Sequence, residues 1–147
     1  MRITTVQQDQ LRGLWATANS ALAAYADAFT EHQGVRQRLE AGVSDITEPV
    51  VMMTLDEVGK EEATALVAFT NAFEQLEETY RRFFDKRGAA ALRNYFAALR
   101  AARYPSMQGV GGELPKHLLE LSDKRALLVA QVELDSYAGA QVRTVGR

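Results

Sequence analysis

Leu66-Val67-Ala68-Phe69-Thr70-Asn71-Ala72-Phe73-Glu74-Gln75-Leu76-Glu77-Glu78-Thr79-Tyr80-Arg81-Arg82-Phe83 carries the most regular apolar pattern in the chain. Leu66, Phe69, Phe73, Leu76, Tyr80 and Phe83 recur at steps of 3, 4, 3, 4 and 3. Residues so spaced line one face of a helix. The same pattern occurs upstream, where Leu11, Trp15, Ala18, Leu22, Tyr25 and Phe29 recur at steps of 4, 3, 4, 3 and 4. Leu14 and Ala26 widen that stripe. Both stripes have the spacing of coiled-coil packing, and no useful stretch alternates with period two. The sequence therefore predicts an all-α fold. It is a bundle of three to four main helices, the long ones roughly antiparallel, with a Gly-rich loop before the last helix.

Boundaries follow from capping and turn chemistry. Thr5 with Gln8 matches a capping box for the first helix, and Gly34 ends or kinks that helix near Gln33, with room for a further turn or two, Val35 to Ala41, before Gly42. Residues 42–49 have turn chemistry, and Pro49 biases Glu48 away from helix. Four apolar residues come next, Val50, Val51, Met52 and Met53. They read either as a short extended segment buried in its own domain or as an exposed docking patch. Thr54 with Glu57 then matches a second capping box, and Gly59 moves the firm start toward Lys60. Asp85-Lys86-Arg87-Gly88 has the marks of a helix end. Ala89 to Tyr104 resumes helix, with Leu92, Tyr95, Phe96 and Leu99 on its apolar face. Gly88 either breaks the helix or is tolerated inside it.

Tyr104 to Gly112 is the loop, since Pro105, Gly109, Gly111 and Gly112 cannot sustain helix. Pro115 suits the first turn of the last helix. Leu118, Leu121, Leu128 and Val132 share one face there, with Leu114 and Arg125 at the intervening positions. Gly139 ends that helix. The organisation is thus one helical domain over residues 1–140 and a flexible C-terminal tail over 141–147.

The 147 residues, 47% of them apolar, suffice for one self-supporting core. The apolar fraction is too high for a disordered tail, and no run approaches a membrane span. Zero cysteine removes disulfides, thiolate zinc sites and cysteine nucleophiles. Met1-Arg2-Ile3-Thr4-Thr5 shows no evident export signal, so a cytoplasmic or virion setting is expected.

Catalytic motifs are missing. His32 reads as a surface histidine near a helix C-terminus. His117 has Glu113 and Glu120 at helical spacing, which reads either as a single weak metal site or as ordinary charge pairs on a helix surface. With no partner histidine or further carboxylate at that spacing, the second reading is preferred. Di-iron chemistry needs Glu-x-x-His, and residues 29 and 114 are Phe and Leu. Gly109-Val110-Gly111-Gly112 lacks the Lys-Ser/Thr of a phosphate loop. No enzyme activity, cofactor, metal or small-molecule substrate is expected.

Charge is distributed unevenly. Net charge is −2, yet residues 40–78 hold ten acidic groups against Lys60. Residues 79–112 hold seven basic groups against Asp85. On one continuous helix Arg82, Lys86, Arg93 and Arg100 would fall within about 40° of one another, in a stripe about 27 Å long. Glu77–Arg81 and Glu78–Arg82 are local i,i+4 pairs in the favourable order. Arg82, Lys86, Arg93, Arg100 and Arg103 are therefore a candidate charged interface. Tyr104, Met107 and Val110 are a candidate interface loop, and Val50, Val51, Met52 and Met53 a candidate docking patch. These features favour a non-enzymatic structural or assembly subunit. It would pack with itself as a homo-oligomer and with neighbouring proteins, in the manner of a small helical virion, ring or connector component. Nucleic-acid association through residues 81–103 is the alternative, followed by a monomeric adaptor or chaperone docking through Val50–Met53. No membrane partner is expected.

Overall fold

A computed structural model describes residues 3–40, 48–103 and 116–144, without the side chains of 40, 48–53, 103 and 116–123. These residues form helices α1 (Thr5–Glu40), α2 (Glu48–Arg103), α3 (Lys116–Ala138) and the short α4 (Ala140–Arg143), with no strand among them. The fold is an all-α bundle. No described helix is long and apolar enough to cross a membrane.

α1 is capped one residue earlier than the Thr5–Gln8 pattern predicts. Thr4 and Gln7 make the reciprocal box: Gln7 N–H donates to Thr4 Oγ1 at 3.1 Å, and Thr4 N–H donates to Gln7 Oε1 at 3.0 Å. Gly34 neither ends nor kinks the helix, which continues to Glu40. A single glycine costs a helix only about 1 kcal/mol. Val35, next to it, is buried and helps to hold the following turns.

α2 also begins before its expected start, at Glu48. Pro49 is accommodated because the first helical turn has no need of its missing N–H. Val50, Val51, Met52 and Met53 are therefore on helix, which corrects the extended reading, and Thr54 and Glu57 lie inside α2.

The larger correction concerns the middle of α2. Phe73 and Phe96 are 23 residues apart, about 35 Å along a straight helix. Their ring centroids are 5.3 Å apart. Arg93 likewise lies 3.4 Å from Glu77. The chain reverses between these residues, at Phe84 (φ −132°, ψ 16°) and Asp85 (φ 59°, ψ −160°). α2 is thus a helical hairpin with limbs over 48–83 and 86–103. The break falls three residues before Gly88. Asp85 caps the second limb, with its Oδ1 accepting from Arg87 N–H at 2.8 Å. Gly88 serves close packing: a Cβ there would lie 2.5 Å from Phe84 Cβ and 3.2 Å from the Tyr80 carbonyl oxygen.

α1 runs antiparallel to the first limb, as shown by Trp15–Tyr80, Tyr25–Phe69 and His32–Glu62. Trp15 is fully buried, edge-on to Tyr80 and Tyr95 and stacked on Phe96. Its indole N–H donates to Tyr80 Oη at 3.0 Å. Leu11, Ala18, Leu22, Leu76, Leu92 and Leu99 complete this part of the core. Leu66, expected in the seam, is 43% exposed. In the hairpin register Arg103, the last described residue of the second limb, comes level with residues 66–67.

α3 packs on the hairpin through Leu127, Ala130, Leu134 and Ala138, and Tyr137 meets Phe84 at 5.5 Å. This overturns the expected face, because Leu128 and Val132 point outward. Gly139 ends α3 as expected, at φ 85°. The tail is not loose over 141–144. Val142 is fully buried in the core, and the Arg143 carbonyl accepts from Asn19 Nδ2 at 3.1 Å. Residues 145–147 lie outside the described residues.

Candidate functional site

The basic residues singled out by the sequence are reorganised by the hairpin. Arg82 stands before the reversal, and Lys86, Arg93 and Arg100 stand after it. The continuous 82–100 stripe therefore does not form. Its last three members keep their seven-residue spacing on the second limb, but Arg93 faces Glu77 at 3.4 Å. Glu77 also accepts from Arg81 at 3.1 Å, and Glu78 from Arg81 at 3.2 Å. The expected Glu78–Arg82 pair is replaced by Glu78–Arg81. Part of the complementarity between the acidic and basic segments is thus used within one chain. Arg100 is half-buried, and the side chain of Arg103 lies outside the described residues. So do Tyr104, Met107 and Val110 entirely, and the side chains of Val50, Val51, Met52 and Met53.

The reversal gathers a different cluster at the hairpin tip. Arg81, Arg82 and Arg87, with the carboxylate of Asp85 among them, line a groove of about 470 Å³ that Ser136 and Tyr137 of α3 also line. Lys86 is exposed beside it. Among the described residues, no ion pair forms at Arg82, Lys86 or Arg87. Concave basic surface beside an aromatic ring suits anionic groups and stacked bases. No acid–base pair or nucleophile with an adjacent base lines the groove among the described residues.

α3 carries the second surface. Leu128, Val129 and Val132 are 62%, 64% and 73% exposed. They adjoin a groove of about 680 Å³ lined by Arg125, Val129 and Glu133 of α3 and by Asn94 and Ala98 of the second limb. The sequence pattern merges this face with the core. Arg125, in the middle of the Leu118-Leu121-Leu128-Val132 series, is the signal against that merger, because burying its charge without a partner is costly.

The polar groups inside the bundle are paired with one another. Arg143 makes a two-point pair with Asp135, at 3.0 and 2.9 Å, and lies 5.4 Å from the Tyr95 ring centre. The Asp135 hydrogen bond raises the Arg143 pKa further, against the opposing effect of burial. Burial holds the Tyr80 hydroxyl above its ordinary range, with the Trp15 hydrogen bond acting in the opposite direction. His32 Nδ1 contacts Glu62 across α1 and the first limb, mid-helix rather than at a helix end. No cluster of three or more metal-ligating side chains occurs among the described residues.

Comparison with protein-family models, curated protein sequences and solved structures finds no match to this chain.

Proposed function

We propose that the chain is a non-enzymatic structural subunit that works in a multi-copy assembly, as small helical virion, ring or connector components do. The observation that carries this reading is the outward apolar face of α3. Leu128, Val129 and Val132 are exposed next to one another on one helix, and contiguous exposed apolar side chains are the kind of surface that contacts between proteins use. Charge supplies a second, salt-sensitive contribution. Asp56, Glu57, Glu61 and Glu74 on the first limb and Arg82, Lys86 and Arg87 at the tip are exposed and without ion pairs among the described residues. Neighbouring copies can match them.

Absolute mass by light scattering on nucleic-acid-free protein tests this reading. A species of several times 16.3 kDa is expected, and its mass falls when salt is raised if charge contributes. A monomer at every salt and protein concentration overturns self-assembly.

The hairpin tip supports a second reading, contact with nucleic acid through Arg82, Lys86 and Arg87 beside Tyr137. It requires affinity for single strands that falls steeply with salt. Charge reversal at Arg82 and Arg87 should abolish that binding while leaving the mass of the free protein unchanged.

A further inference from the structure

α3 has two apolar faces, and among the described residues one of them packs on the rest of the fold. On a wheel at 100° per residue, Leu127, Ala130, Leu134 and Ala138 lie opposite Arg125, Leu128, Val129 and Val132. The first set is buried against the hairpin, and the apolar members of the second are exposed. We propose that this outer face pairs antiparallel with the same face of a second copy, across a two-fold axis at Val129.

The argument for a second copy is the placement of charge. Arg125 stands four residues before Val129 and Glu133 four residues after it, about one turn each way. All three line the same groove. Neither Arg125 nor Glu133 has an ion pair among the described residues. An antiparallel two-fold at Val129 brings Arg125 of each copy level with Glu133 of the other. Two symmetric ion pairs then flank an apolar centre at Val129, with Val132 beside it and Leu128 at its edge. A two-fold contact needs a surface that complements itself, and this pattern does. Parallel pairing would set Arg125 against Arg125 and is disfavoured by like charge. The long aliphatic stem of Arg125 covers apolar surface while its head reaches the rim.

This contact rests on the assembly reading and specifies one interface within it. The test is sedimentation velocity over a dilution series, paired with thermal melts by circular dichroism. Val129→Asp places two carboxylates at the axis and should weaken self-association at least about tenfold. The melting temperature of the dilute monomer should stay unchanged, because Val129 is a surface residue. Arg125→Glu and Glu133→Arg should each weaken association, and the two together should restore it. A double variant no better than the single ones overturns the antiparallel register. If the unaltered protein self-associates and none of these variants changes its mass, the α3 contact is wrong and the assembly reading stands. A monomeric protein at every concentration overturns both. A lower monomer melting temperature for Val129→Asp, without a change in mass, overturns the proposal by showing the face to be covered within the chain.

Discussion

α1 and α3 are both helices packed on the same hairpin, yet they treat their apolar residues differently. α1 has one apolar stripe and buries it. Leu11, Trp15, Ala18, Leu22 and Tyr25 are all buried. α3 has two stripes and turns the one with smaller residues inward. Ala130 and Ala138 let it approach a hairpin surface already filled by Phe84, which its own Tyr137 meets, while Leu128, Val129 and Val132 remain outside. Apolar content therefore does not by itself select the buried face. Shape and the position of charge select it: Arg125 on the outer stripe would carry an unpaired guanidinium into the core.

Substitutions on the two helices test this difference directly. Trp15→Ala should have the largest effect, a loss of about 3–5 kcal/mol in urea unfolding followed by circular dichroism. A smaller loss would mean that the α1 seam is less tightly built than its ring contacts suggest. On α3, Leu134→Ala should cost about 2–5 kcal/mol, whereas Leu128→Ala in the dilute monomer should stay within about 0.5 kcal/mol. Equal costs would erase the distinction between the two faces.

The same question of room at a helix surface can be put to two glycines. Gly88→Ala drives a methyl group into Phe84 and should destabilise by about 1–3 kcal/mol. Gly13→Ala on α1 meets nothing within 4 Å and should stabilise by about 0.5–1 kcal/mol. Chemical denaturation of the pair gives the sign of each.

Tyr80→Phe leaves the Trp15 indole N–H without its acceptor and should cost about 1 kcal/mol at neutral pH, well below the Trp15→Ala loss. Its pH dependence is more telling. The folded Tyr80 pKa is raised by burial, so its neutral form is favoured in the fold. That contribution is fully present below the unfolded value near 10 and is lost as pH rises past it. Melts between about pH 8 and about pH 11 should show a steeper alkaline loss for the natural protein than for Tyr80→Phe.

Much of this architecture is legible in the residues. The stripes from Leu11 to Phe29 and from Phe69 to Phe83 identify helices and their inner faces, because apolar recurrence is a local property of a helix. Gly139 is legible as a stop, and it adopts the positive φ that favours glycine. Asp85-Lys86-Arg87-Gly88 marks a real discontinuity, but its parts play different roles from those the motif suggests. Asp85 caps the second limb, and Gly88 is a contact point rather than a terminator. The basic surface is only half legible. Its residues stand out in the sequence, but their grouping at the tip depends on a reversal whose position local chemistry leaves open. The Asp135–Arg143 pair has no signal in spacing, since Gly139 interrupts the helix between them.

Helix content, the absence of strand periodicity, the aromatic seam and the uneven charge are all determined by residue order, because each is set within a few turns of chain. Three features required the packed molecule. They are the chain reversal at Phe84 and Asp85, the choice between the two faces of α3, and the docking of Val142 and Arg143. Each is resolved by contacts between residues far apart in sequence, where steric fit and the cost of burying charge outweigh local preference.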